Sequence, residues 1–163
     1  VTSIGKYAFA HCDLLSSIVI PDSVAEIGSY AFLDTPWLAL RQEENPFVII
    51  NNILYDGSNC SGKVVIPDGI IKIQNFAFDQ CENLIEITIP GSITSIGDGA
   101  FEDCTSLFSV TIPDSVTMIG SRAFYRCSTI ATINVPWSEG EVEGAPWGAT
   151  NATINYNYTG EGV

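Results

Sequence analysis

The chain repeats itself every twenty-three residues. TSIGKYAFAHCDLLSSIVIPDSV (residues 2–24), IKIQNFAFDQCENLIEITIPGSI (71–93) and TSIGDGAFEDCTSLFSVTIPDSV (94–116) are variants of one unit. A period in this range marks a solenoid, in which each unit is one coil that buries its apolar side only against its neighbours. The constraint says much about the fold and little about the activity.

Adding multiples of the period gives the core columns. Ile4, Ile27, Ile50, Ile73, Ile96 and Ile119 form one. Phe9, Phe32, Tyr55, Phe78, Phe101 and Phe124 form the strongest, each preceded by Ala except at Leu54. Leu15, Leu38, Leu84, Leu107 and Ile130 follow, then the Ile18 and Ile20 columns, which run through Ile87 and Ile89 to Ile133 and Val135. The L-x-x-I-x-I-P stretch alternates apolar and polar residues, the pattern of a half-buried strand. Pro21, Pro67, Pro90, Pro113 and Pro136 end each strand, because proline has no N–H for a ladder. The I-G-x-x-A-F half is too short for a free helix and is expected to be a brief strand or bend followed by one helical turn. Gly5, Gly28, Gly97 and Gly120 suit a bend with unusual backbone angles, and Gln74 in their column predicts a differently bent coil. The expected fold is an α/β-type, mostly β solenoid of about six 23-residue rungs, with a parallel sheet on one face and strands about 4.8 Å apart.

The unit A-F-x-x-C-x-x-L-x-x-I-x-I-P-x-S-V-x-x-I-G, present three times almost intact over residues 1–136, resembles the BspA-like (Treponema-type) leucine-rich repeat. The resemblance implies a right-handed, curved leucine-rich repeat coil at the surface of bacteria or some protists, described as an adhesin or antigen that binds host or neighbouring-cell proteins. It implies no shared catalytic residue.

Three regions depart from the unit. Between residues 33 and 63 the pattern breaks, yet Ala25 and Ile71 are two full periods apart, so the register survives. FVIINNILYDG (47–57) predicts a hairpin turning at Asn51-Asn52, since asparagine tolerates positive φ. Arg41 to Pro46 reads as a polar connection whose start Trp37 and Leu38 pin to the core. This is either a tolerated variation of the coil or a binding loop. From Trp137 the repeat stops, and residues 137–163 are expected to be a C-terminal β cap and tail, with a strand at 152–158 shielding the last coil. Val1 opens the chain in mid-repeat, so the chain is expected to be part of a longer one. Throughout, residues 1–136 and the cap are expected to form a single domain.

Nineteen acidic and six basic residues give a net charge of −13. This argues against nucleic acid and against an anionic membrane surface, which need a basic footprint. No apolar run is long enough for a membrane span, so direct insertion is not expected. Neither Glu139, Glu141 and Glu143 nor Glu102-Asp103 has calcium-loop spacing, and no metal or cofactor is expected. Cys12, Cys81, Cys104 and Cys127 share one column, where parallel side chains disfavour the disulfide dihedral and a small buried thiol is expected. Cys60 lies off the column in a polar loop, free and reactive if exposed. His11 beside Cys12 is a nucleophile–base pair in sequence only, and no hydrolase, P-loop or zinc-protease motif appears, so no enzyme is expected.

What remains is the outward face of the sheet: Ser17, Val19, Lys63, Val65, Glu86, Thr88, Ser109, Thr111, Thr132 and Asn134, with Phe108 at the rim as packing or anchor. This strip lacks the Trp, Tyr and Arg that anchor interfaces and suits a broad, shallow contact. The expectation is a secreted or cell-surface module that binds a protein or glycan of a host or neighbouring cell. The alternative is a rigid spacer within a longer cell-wall or phage-tail-associated protein. If the aromatic column is the spine, Phe101→Ala lowers the stability measured by urea unfolding by about 3–5 kcal/mol. A loss below about 1 kcal/mol contradicts that role.

Overall fold

The structure, a computed structural model, describes residues 1–160, so residues 161–163 of the expected tail lie outside the described residues. The first two coils contribute β1 (Ser3–Ile4) and β2 (Glu26–Ile27), a short parallel pair. A helix, α1 (Pro36–Glu44), and an antiparallel hairpin of β3 (Val48–Ile50) and β4 (Ile53–Asp56) follow. Regular coils resume with β5 (Gly62–Val65), β6 (Lys72–Ile73), β7 (Leu84–Thr88), β8 (Ser95–Ile96), β9 (Ser109–Thr111), β10 (Met118–Ile119), β11 (Thr132–Asn134) and β12 (Thr153–Asn155). They build two five-stranded sheets, in the orders β10-β8-β6-β4-β3 and β12-β11-β9-β7-β5. The molecule is the expected mostly β solenoid.

Beside the sheet ladders, ring stacking and the backbone bond of each column phenylalanine tie coil to coil. Phe78 lies 5.0 Å from Phe101, which lies 5.4 Å from Phe124, with rings within 8° and 2° of parallel. Each of these rings is fully buried. The Phe78 and Phe101 N–H groups donate to the carbonyls of Ala100 and Ala123 in the next coil, both at 2.8 Å. Burial supplies most of the stabilisation, and the stacks add about 0.5–1.5 kcal/mol per pair.

The irregular coil breaks this column. Leu54 pairs with Ile73, nineteen residues away rather than twenty-three, so the coil is out of register on this side. Tyr55 therefore does not stack in the Phe column. It meets Phe32 edge-on at 5.7 Å, and its hydroxyl accepts the Phe32 N–H at 3.0 Å, replacing the carbonyl that other coils supply. Burial pushes the Tyr55 hydroxyl up to about 12. Phe47 and the backbone of Gly57 pack against Phe78 instead. The core accordingly divides into two clusters, Val24 to Tyr55 and Leu54 to Ala149. The regular blocks nevertheless stay in phase across the break, because Tyr30 and Phe76, two periods apart, stack directly at 5.2 Å.

The hairpin forms as expected, with Asn51 and Asn52 both at positive φ. The polar connection is instead a helix. Thr35 caps it, accepting the Leu38 N–H at 3.2 Å, Pro36 opens it, and Asn45, extended before Pro46, ends it. Trp37 and Leu38 do pin it, buried against Phe32.

Two further expectations are corrected. The A-F half is not a helical turn but a chain of tight turns, such as Ala77 N–H to Gln74 O and Asp79 N–H to Phe76 O. Left-handed residues recur in it at Tyr7, Tyr30, Phe76 and Arg122, and again at His11, Asp34, Gln80, Asp103 and Arg126. The bend therefore falls on these residues, and the coil of Gln74 bends like the others. Gly28, Gly97 and Gly120 are absent from the positive-φ positions; they are small because a neighbouring coil's backbone leaves no room, a Cβ on Gly97 lying 2.5 Å from Asn75 N. Gln74 is tolerated because its neighbour is the displaced β4, to whose Leu54 carbonyl its N–H donates.

The C-terminal segment caps the solenoid as a seventh, shortened coil. Trp147, one period beyond Phe124, is buried and its carbonyl accepts the Phe124 N–H at 2.9 Å. β12 extends the sheet beside β11, with Ile154 opposite Ile133. If the column glycines are set by crowding, Gly97→Ala destabilises by about 1–3 kcal/mol. Gly5→Ala, whose added Cβ meets nothing within 4 Å, changes stability by less than about 0.5 kcal/mol, both variants being read by thermal melts.

Candidate functional site

In the coils of β7, β9 and β11 the strand half starts from a buried Leu84, Leu107 or Ile130 and turns its alternate side chains outward. Lys63, Glu86, Ser109 and Thr132 lie in register across β5, β7, β9 and β11, as do Val65, Thr88, Thr111 and Asn134. This much of the expected strip is one surface. Ser17 and Val19 are not part of it. Both are exposed, but their stretch forms no strand, because α1 takes the place of the second coil's strand and the sheet begins only at β5. Two residues of the face were missed, Thr153 and Asn155, which continue both rows on β12. The T-I-N triplet shared by 132–134 and 153–155 was the signal.

The face largely satisfies its own polar groups. Lys63 Nζ reaches Glu86 Oε2 at 2.6 Å in the open, a pair worth about 0–1 kcal/mol. Asn155 Nδ2 donates to Asn134 Oδ1 at 2.8 Å, and Asn134 Nδ2 to Thr111 Oγ1 at 3.1 Å, an amide ladder climbing the coils. Between Glu86, Thr88, Ser109, Thr111 and Pro113 lies a shallow depression of about 250 Å³. Phe108 is 61% exposed and Ile85, in the same column, half exposed. Phe108 therefore is not a packing residue but an apolar edge beside a polar field.

The reactive groups are dispersed. His11 does meet a carboxylate, with Nδ1 3.2 Å from Asp34, but the two side chains are 69% and 65% exposed. All five cysteines are unpaired. Cys81, Cys104 and Cys127 are buried and donate their thiols to carbonyls of the preceding coil, Gly57, Phe78 and Phe101, at 3.0–3.2 Å. Cys60, expected to be reactive if exposed, is buried and faces the Pro46 carbonyl; burial pushes its thiol up to about 12. Cys12 is exposed. Among the described residues no three His, Cys, Asp or Glu side chains are placed to hold a metal ion, and no helix is long and apolar enough to cross a membrane.

Comparison with known proteins agrees with this geometry. The family model for the BspA type leucine rich repeat region matches in six copies over residues 1–61 and 48–144. The crystal structure of a leucine rich repeat protein of T. pallidum is similar at a TM-score of 0.55 and 28% identity, covering 97% of this chain and 64% of that one. A leucine rich cell surface protein from Faecalibacterium prausnitzii is similar at 0.53 and 26%, covering 98% and 52%. A leucine-rich repeat protein from Eubacterium ventriosum is similar at 0.56 and 27%, covering 84% and 41%. The chain thus spans less than two thirds of each of these proteins. No curated protein matches.

The placement of the thiols has a direct readout. In native buffer a maleimide reagent modifies Cys12 alone, one thiol per chain, whereas in denaturant all five react. Fast native labelling of Cys60 would contradict its burial.

Proposed function

The chain belongs to the BspA type leucine rich repeat family, and from that premise we propose that it is a non-catalytic recognition module, secreted or held at a cell surface, which binds another protein through the sheet built by β5, β7, β9, β11 and β12. The supporting observation is the face itself. From Lys63 onward the parallel strands repeat the same outward positions coil after coil, so the surface is regular and extended in one direction. A contact on such a face gains from preorganisation, because little is ordered on binding. The Phe108 and Ile85 edge supplies the apolar anchor that the polar field lacks. Dispersed reactive groups and a fold generally without catalysis support a binding rather than an enzymatic role. Similarity to a protein described as a leucine rich cell surface protein supports the location.

A second reading is favoured by one observation, the amide ladder of Thr111, Asn134 and Asn155. Side chains that satisfy one another have less to offer a partner, and the same ladder stiffens the rod. A rigid spacer needs no more than this.

The two readings part in one experiment. The isolated chain is tested against arrays of extracellular matrix proteins and glycans, beside a Thr88→Arg/Thr111→Arg variant with an unchanged melting temperature. The module reading expects a protein ligand bound by the chain and weakened about tenfold or more by the variant, which places charge and bulk on the face. A folded chain that binds nothing on the array supports the spacer reading.

A further inference from the structure

Where the irregular coil falls out of register, the turn-bearing side of the solenoid opens into a cleft of about 310 Å³. One wall is α1, another the bend of the second coil, and a third the bend of the coil that begins at Ile71. The cleft exists because Tyr30 and Phe76 stack across the break while β4 withdraws from between them.

Its charge is one-sided. Asp34, Asp56 and Asp79 line it, and among the described residues no lysine or arginine does. Asp56 is held by neutral donors, Gln42 Nε2 at 3.0 Å and the N–H and hydroxyl of Ser58 at 3.1 and 2.9 Å. Asp79 accepts from Gln80 Nε2 at 3.2 Å and from the Tyr30 hydroxyl at 3.5 Å. Among the described residues, Asp34 alone of the three pairs with a basic side chain, His11, which lies outside the cleft. Burial holds the Asp79 carboxyl above the usual carboxylate range, as expected where no cation compensates it.

Shape and chemistry then narrow the occupant. A single metal ion is disfavoured, because the carboxylates do not converge as a ligand set. A stacked sugar ring or an ammonium seated on a ring face is disfavoured too. Tyr30 is sandwiched between Tyr7 at 5.5 Å and Phe76 at 5.2 Å, and Gly99 packs against Phe76, where a Cβ would lie 2.5 Å from Cε1. The rings therefore offer edges, which with Leu33, Leu38 and Ala39 make an apolar lining. The volume is at the lower end of ligand sites, enough for one long side chain. An aliphatic stem carrying a cation fits this lining: the stem lies on apolar surface and the head meets carboxylates.

We propose that this cleft receives a lysine or arginine side chain presented by a basic segment of a partner protein. It rests on the reading of the chain as a protein-recognition module and adds a second contact, away from the sheet face, that selects for positive charge. The single-sign field also speeds the encounter with such a segment, and salt weakens it.

The test is a titration of the isotopically labelled chain, followed by amide chemical shifts, with Nα-acetyl-arginine methylamide and Nα-acetyl-lysine methylamide. Nα-acetyl-citrulline methylamide, of equal length but neutral, is the control. Shifts confined to the amides of Ala39, Ser58, Asn75 and Asp79, produced by the cationic probes and not by citrulline, are expected. Asp79→Asn with Asp34→Asn weakens them about tenfold, whereas Asp114→Asn with Glu139→Gln does not. Equal shifts from citrulline, shifts as large at Asp114 and Glu139 as at the cleft, or indifference to the Asp79→Asn variant overturn the proposal. The amide spectrum reports directly whether each variant remains folded. A chain that binds a protein through the sheet face yet ignores the cationic probes loses only this inference. A chain that binds the probes but no protein loses the module reading instead.

Discussion

Everything in this molecule hangs on a phenylalanine that does two things at once. Its ring lies flat on the ring of the next coil, and its N–H donates to the next coil's carbonyl, as Phe78 does to Phe101 and Ala100. The ring contact is apolar and tolerant of small shifts. The backbone bond is not, and together they fix both the spacing and the phase of successive coils. An unsatisfied N–H buried beside a fully enclosed ring costs about 1–3 kcal/mol, so each coil holds its neighbour in register or loses both contacts.

The irregular coil shows the strength of that requirement by how it is met when the geometry fails. Displaced by its hairpin, the coil brings no carbonyl to the Phe32 N–H, and the hydroxyl of Tyr55 takes its place. The substitution of tyrosine in a phenylalanine column is therefore not a conservative exchange of one aromatic for another. Just before the hairpin α1 displaces a strand, so that the core splits into two clusters and the outward-facing sheet starts at β5. One local insertion of irregularity sets the limit of the sheet face and opens the acidic cleft behind it.

Much of this was legible in the chain. The period announced a solenoid, and the columns named the buried residues of the regular coils, down to Phe78, Phe101 and Phe124 as a continuous stack. The rows of the sheet face from Lys63 to Asn134 followed from alternation alone. The misses have physical causes. The helix was signalled by Thr35-Pro36 but masked by an expectation that position 38 would continue a strand column. The glycine column suggests a torsional need, whereas the need is steric at Gly28, Gly97 and Gly120, because what crowds them belongs to another coil. Trp147 stands one period beyond Phe124, yet the surrounding acidic, glycine-rich composition hid it.

A twenty-three-residue period needs no coordinates to imply stacked coils, since the unit has an apolar side and nowhere else to bury it. Which side chains then become neighbours across an interruption is a different kind of fact. That Tyr30 touches Phe76, that Cys60 is enclosed and that three aspartates share a cleft lined by no lysine or arginine among the described residues all depend on a four-residue slip at the hairpin. Such a slip is settled by the competition between local hairpin geometry and the packing of the coils on either side. Local pattern encodes the first contestant only, and the outcome is written in the packed chain.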